Sequence, residues 1–190
     1  MQQIQRAPGI KFVTVSTLNE SKAVERIPSF LSGFRKREFK FTWILVGKGG
    51  KEKEIEQEIN KYGIRENCIW IKESVPHDFI LNMFRATDFY LILHKYSIFD
   101  YAILEAMSCG NIPILSRIGG NKEVVINENG FFSDEDGLED KIIDLIESKE
   151  FNLMKEKNVT LQQEKFSEYS SLNHYSKWCD FWKPTQIRDD

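Results

Sequence analysis

Short apolar runs alternate along the chain with stretches of helical spacing. Ile10 to Ser16, Phe41 to Val46, Cys68 to Ile71, Phe89 to Leu93 and Ile112 to Ser116 are continuous enough to predict buried strands. Between them, polar and apolar positions recur with the period of helices. The spacing predicts a helix over about 20–37, in which Pro28 is expected to kink or interrupt the run. Lys51 to Tyr62 alternates charges around Ile55 and Ile59, the pattern of a surface helix with a narrow apolar stripe, and Gly63 is a natural stop. Ser74-Val-Pro-His-Asp78 opens a helix that buries Phe79, Ile80, Met83 and Phe84.

The next helix starts near Ser97 and places Phe99, Ile103, Leu104 and Met107 on one side, with Glu105 among them as a buried-side carboxylate. Ser97 with Asp100 reads as a capping box before the apolar run. Gly119-Gly120 precede a short helix carrying Glu123, Val124 and Val125, then Asn129-Gly130 turns into a brief strand, Phe131-Phe132. Gly137 to Ser148 is amphipathic. The tail is expected to be helical to about Trp182, with Trp178, Phe181 and Trp182 among its aromatics. Strands alternating with helices predict an α/β fold: one Rossmann-like, doubly wound parallel sheet of about six strands, with helices on both faces. Ligands on such sheets bind at the carboxyl ends of the strands.

Composition narrows the partners. The net charge of −3 lacks the basic excess that phosphate-backbone binding needs, so nucleic acid is excluded as the main partner. No apolar run approaches the length of a bilayer span, and the first residues lack a signal-peptide core. Cys68, Cys109 and Cys179 are too few and too scattered for a disulfide framework, and with His77, His94 and His174 they offer no metal-ligand spacing. No metal is expected, and the reduced thiols fit a cytoplasmic protein.

Four strand-to-helix turns converge on the ligand edge. They carry Lys22, Lys48 between glycines, the approach to Glu105, and Gly119-Gly120. Lysine and helix N-termini at one edge make an anion site, and a carboxylate beside it can accept two ribose hydroxyls. Together they point to a nucleoside diphosphate. Each residue also has a plain structural reading. Lys22 alone is a solvated lysine. Gly47-Lys-Gly-Gly-Lys51 has the wrong spacing for a P-loop and alone is a turn. His94 alone is a packed histidine at a strand end.

In order and spacing these pieces resemble the C-terminal, donor-binding domain of the family 4 retaining glycosyltransferases of GT-B fold. VTVSTLNESKAVERI is similar to that family's first strand, turn, lysine and helix, and WILVGKGG to its second strand and glycine loop. IFDYAILEAMSCGNIPILSRIGGNKEVV is the most specific match, and NENGFF resembles the family's asparagine-glycine turn. The resemblance spans roughly Lys11 to Trp182. It implies that Lys22 binds the diphosphate and Glu105 the ribose hydroxyls. Backbone at Ile98, Phe99, Asp100 and Tyr101 would cradle phosphate or sugar, Gly119 and Gly120 would line the sugar cleft, and the base would rest near Lys72 and Glu73. The donor would be a UDP- or GDP-linked sugar, transferred with retention and without a metal or other cofactor. Surface polysaccharide or glycoconjugate assembly in a bacterial type of cell is the implied setting.

The sequence departs from the family at three positions. Ser97 stands where the family has its first glutamate, eight positions before Glu105. Thr17 stands where an arginine usually shares the diphosphate, and Asp100 replaces a glycine. Three explanations stay open: Asp100 does part of the lost glutamate's catalytic work, the chain is a non-catalytic subunit that supports a partner, or the missing groups come from another domain. A sugar-nucleotide epimerase on the same fold is a further alternative. An unrelated dinucleotide-binding protein is disfavoured, since no G-x-G-x-x-G follows the first strand.

The resemblance also implies an N-terminal acceptor-binding half, for which 190 residues leave no room. The whole chain is expected to be one nucleotide-sugar domain, with residues 10–150 as its core and 151–190 as helices that cross to the missing half. It would be an excised domain or truncated product that binds nucleotide and transfers little sugar. Its aromatic tail could then support self-association. Any membrane association would be peripheral, at the inner face, and through the full-length protein only.

Overall fold

A computed structural model describes residues 1–96, 100–126 and 128–165. The elements run α1 (Gln2–Arg6), β1 (Ile10–Val15), a 3-10 turn (Val24–Arg26), α2 (Ile27–Lys36), β2 (Phe41–Val46), α3 (Glu52–Lys61), a second 3-10 turn (Arg65–Asn67), β3 (Cys68–Ile71), α4 (His77–Arg85), β4 (Phe89–Ile92), α5 (Tyr101–Ser108), β5 (Ile112–Leu115), α6 (Asn121–Val124), β6 (Phe131–Phe132), α7 (Leu138–Glu147) and α8 (Glu150–Lys165). The aromatic tail beyond Lys165 lies outside the described residues, as do Ser97, Ile98 and Phe99.

All six strands are parallel, in the order β3-β2-β1-β4-β5-β6. The expected doubly wound sheet is therefore present. Strand order reverses between β1 and β4, the position at which open sheets of this kind form their ligand crevice. Apolar side chains fill both faces, which is why the strands read as continuous runs rather than alternating ones. On one face Phe12, Trp43, Leu45 and Leu91 meet Leu31, Phe34, Ile55, Ile59, Leu138 and Ile142 from α2, α3 and α7. On the other Val13, Ile44, Tyr90 and Ile92 meet Met83, Phe84, Ile103, Leu104 and Met107 from α4 and α5. A buried relay joins three strands within the sheet: the Trp43 indole N–H donates to Thr14 Oγ1 (3.0 Å), whose hydroxyl donates to the Leu91 carbonyl (2.6 Å).

Two expectations about the first helix are corrected. The predicted helix over 20–37 is split, because Ala23 adopts a left-handed φ of 45° that no continuing helix allows. Lys22 therefore sits in an irregular turn. Pro28 kinks nothing: it is the second residue of α2, where its missing N–H has no intrahelical partner to lose.

Helix α8 closes the edge opposite the crevice. Phe151 lies 5.8 Å from the Phe89 ring, and Lys155 pairs with Asp88 at 2.9 Å. Asp88 also accepts the Lys11 N–H (3.0 Å), so one carboxylate links the starts of β1 and β4 to the last described helix. Buried Asn158 donates to the Asn129 and Met154 carbonyls and accepts from Asn129 Nδ2. Asn158→Ala strands the Asn129 groups away from water. We expect it to cost about 2–4 kcal/mol, read as a lower urea midpoint with an unchanged m-value.

Candidate functional site

The turns after β1 and β4 meet at the point of strand reversal. Backbone bonds hold them: the Lys95 N–H donates to the Ser21 carbonyl at 2.9 Å. Glu20, on the first turn, pairs with both Lys95 and Lys51, and with these ammonium groups its carboxyl is held down to about 2. The glycine loop after β2 docks on the same turn. Leu18 donates its N–H to the Lys48 carbonyl (3.1 Å), and Lys51 donates its N–H to the Leu18 carbonyl (3.1 Å). A Cβ on Gly47, at φ 149°, would stand 1.9 Å from the Ser16 carbonyl oxygen. These glycines thus serve close backbone approach, and the Lys48 side chain is exposed.

At the centre of the junction Lys22 Nζ lies 3.2 Å from Asp100 Oδ2. Asp100 is the N-cap of α5, its Oδ1 accepting the Ala102 N–H at 3.1 Å. This corrects the expected capping box, in which Asp100 was the residue three positions inside the helix. Asp100 caps the helix itself, so α5 begins at Tyr101. Behind the pair sits His94, whose side chain is fully buried, with Nε2 3.8 Å from Asp100 Oδ2 and, among the described residues, no hydrogen-bond partner on either ring nitrogen. Burial, then the Lys22 charge, pushes the imidazole down to about 4 against a smaller opposing effect of Asp100.

Glu105 is one turn further along α5. Its side chain is 38% exposed and lies 3.0 Å from His77 Nε2. The expectation of a buried carboxylate is corrected. Ile103, Leu104, Ala106 and Met107 face the core, whereas Tyr101, Glu105 and Ser108 share the outer stripe. Burial pushes the Tyr90 phenol well up, and the charges of Asp100 and Glu105 add to that shift. Both carboxylates therefore flank the end of β4.

The other predicted positions are more dispersed. Thr17 is exposed on the first turn. Gly120 is buried as the N-cap of α6, and Gly119 is exposed at φ 43°. Lys72 and Glu73 are exposed beyond β3, with the Lys72 ammonium 4.2 Å over the Trp70 ring and 3.6 Å from Glu52. Ser97, Ile98 and Phe99 lie outside the described residues. Sequence reasoning missed His77, taken only as part of a helix start, and undervalued His94. Nothing local marks His77 as the neighbour of a residue 28 positions away. Among the described residues no group of acidic, histidine or cysteine side chains could hold a metal ion, and no helix is long and apolar enough to cross a membrane.

Residues 2–163 match the sequence pattern described as Glycosyl transferases group 1. The chain belongs to this family. Within the group 1 glycosyl transferases, curated relatives include the GPI3 subunit of the Saccharomyces cerevisiae phosphatidylinositol N-acetylglucosaminyltransferase, 24% identical over 84% of this chain and 33% of that protein. The N-acetyl-alpha-D-glucosaminyl L-malate synthase of Bacillus anthracis is 26% identical over 71% of this chain and 36% of its own length. The chain thus spans about a third of the curated relatives it matches. In fold it is similar to the C-terminal domain of a group 1 family protein, LpcC, from Francisella tularensis, at TM-score 0.72 and 21% identity over 87% of this chain and 91% of that one. It is also similar to Anabaena HepE, solved with UDP-glucose, at TM-score 0.76 and 22% identity over 95% of this chain and 51% of that one.

The buried, neutral His94 makes stability depend on pH. Between about 6.5 and about 4 the unfolded chain takes up a proton on this residue that the folded chain does not. The contribution is fully present above 6.5 and falls with the pH across that window, by on the order of 3 kcal/mol. Urea titrations at several pH values should show a shallower acid loss in His94→Phe than in the parent.

Proposed function

We propose that this chain is the donor-binding part of a glycosyltransferase that takes a nucleoside-diphosphate sugar, UDP- or GDP-linked. One observation carries the reading: in a member of the group 1 family, a lysine, the N-terminus of a helix and a carboxylate lie together where the strand order reverses. Lys22 and the N-terminal turn of α5 receive the diphosphate. Glu105, on the outer stripe of the same helix, accepts the paired ribose hydroxyls once His77 yields the oxygen it faces. As the bond to the sugar breaks, charge grows on the departing diphosphate, and the same cationic and N–H groups stabilise it. HepE, solved with UDP-glucose, supports this donor class. The acceptor, a glycan or a lipid-linked group, would be held by a further domain preceding this one, with residues 151–190 crossing back to it. Transfer with retention, no resident cofactor and a place in surface polysaccharide or glycoconjugate assembly complete the proposal.

A second reading is a non-catalytic subunit in a glycosyltransferase complex. It is favoured by the absence of an acidic residue at Ser97 and by relatives that are themselves subunits or complexes, the GPI3 subunit and GtfA/B.

Millimolar UDP or GDP should raise the melting temperature by a few degrees, corresponding to about 1.4 kcal/mol at ten times Kd. Lys22→Ala and Glu105→Ala should each remove most of that shift. If UDP, GDP and ADP all leave the melting temperature unchanged, the donor assignment fails.

A further inference from the structure

We propose that Asp100 is a resident anion: its carboxylate occupies the seat, between Lys22, the N-terminus of α5 and His94, that a donor phosphate takes when it binds. The inference rests on the donor-binding reading above and adds a residue that opposes donor binding.

Both oxygens of Asp100 are committed. Oδ1 accepts the Ala102 N–H, and Oδ2 faces the Lys22 ammonium at 3.2 Å. These are the two elements of an anion site, a cation and a helix N-terminal N–H, and a side chain of the protein already fills them. The filling is incomplete. His94, buried and without a hydrogen-bond partner among the described residues, points Nε2 toward the same Oδ2 from 3.8 Å, beyond hydrogen-bond range. A planar carboxylate has two oxygens and both are used. A tetrahedral phosphate has a third to offer His94. Exchange is therefore favourable group for group: a phosphate oxygen replaces Asp100 as acceptor for Ala102, another takes Lys22, and His94 gains the partner it lacks. The opposing cost is moving the Asp100 carboxylate away from its cation and keeping a second anion nearby. Asp100 thus sets a threshold on donor affinity.

Two replacements keep the helix cap while removing the charge, because Ser and Asn both serve at that position. Asp100→Ser and Asp100→Asn should fold with little change in melting temperature. By calorimetry, Asp100→Ser should bind inorganic pyrophosphate and UDP about tenfold or more tightly than the parent chain. In that background Lys22→Ala should erase the gain and His94→Phe should reduce it several-fold. The proposal is overturned if Asp100→Ser binds pyrophosphate no more tightly than the parent, or if His94→Phe leaves the gain intact. Failure of the donor reading has a different signature: pyrophosphate binding improves in Asp100→Ser, but UDP binds no better than pyrophosphate. If UDP binds the parent and Asp100→Ser leaves that affinity unchanged, the donor reading stands and the resident anion does not.

Discussion

The pairing of β1 with β4 is the constraint on which the rest depends. Phe12 and Val13 stand opposite Phe89 and Tyr90, and the link is reinforced by hydrogen bonds between residues 77 positions apart. β1 sits between β2 and β4, so it is hydrogen-bonded on both sides and covered on both faces. The Phe12 ring packs between Phe34 and Phe89, at 5.2 and 5.3 Å. Because the sheet is extended outward from these two central strands in opposite directions, the turns that leave them stand side by side at the reversal, tied by the Lys95 N–H to the Ser21 carbonyl. The gap between those turns is where Lys22 and Asp100 meet.

The chemistry of that gap is one of matched opposites. Lys22 faces Asp100, and Glu105 faces His77. The two groups proposed to hold a nucleotide are thus each in contact with another side chain. His94 differs: its ring nitrogens have no hydrogen-bond partner among the described residues, and burial keeps it neutral. Around the rim, Glu20 links Lys51 and Lys95 and so fastens the turns after β1, β2 and β4 to one another. These rim pairs are solvent-facing and contribute little stability individually. Their effect is to hold three irregular turns in one relative position.

Much of the fold was legible because apolar runs leave a plain mark: those at 41–46 and 68–71 coincide with β2, buried throughout, and with the half-buried edge strand β3 residue for residue. Element ends were less legible. The split of the first helix depends on a left-handed Ala23, and no rule of composition predicts that conformation for alanine. Asp100 was recognised as a capping residue, but its place in the cap was not, since side chains at 97 and 100 are both competent caps. Within the candidate site, Lys22 and Glu105 could be named because family resemblance points to their positions. The exposure of Glu105 could have been read from its four-residue spacing to Tyr101. The contact made by His77 could not, because it depends on a residue 28 positions away that the packing of α4 against α5 brings close.

The central place of β1 has a consequence for synthesis. During synthesis β1 gains β2 as a neighbour within some thirty residues, but its other edge stays open until β4 emerges. At about 5–20 residues per second that interval lasts roughly 4–15 seconds. Throughout it the nascent chain carries an apolar strand with unpaired backbone groups, the kind of edge that recruits another chain. Helices α3 and α4 are complete before β4 appears and can cover the faces of the strand, but not its edge. A chaperone acting on this protein has its window there, before residues 89–92 have cleared the exit tunnel.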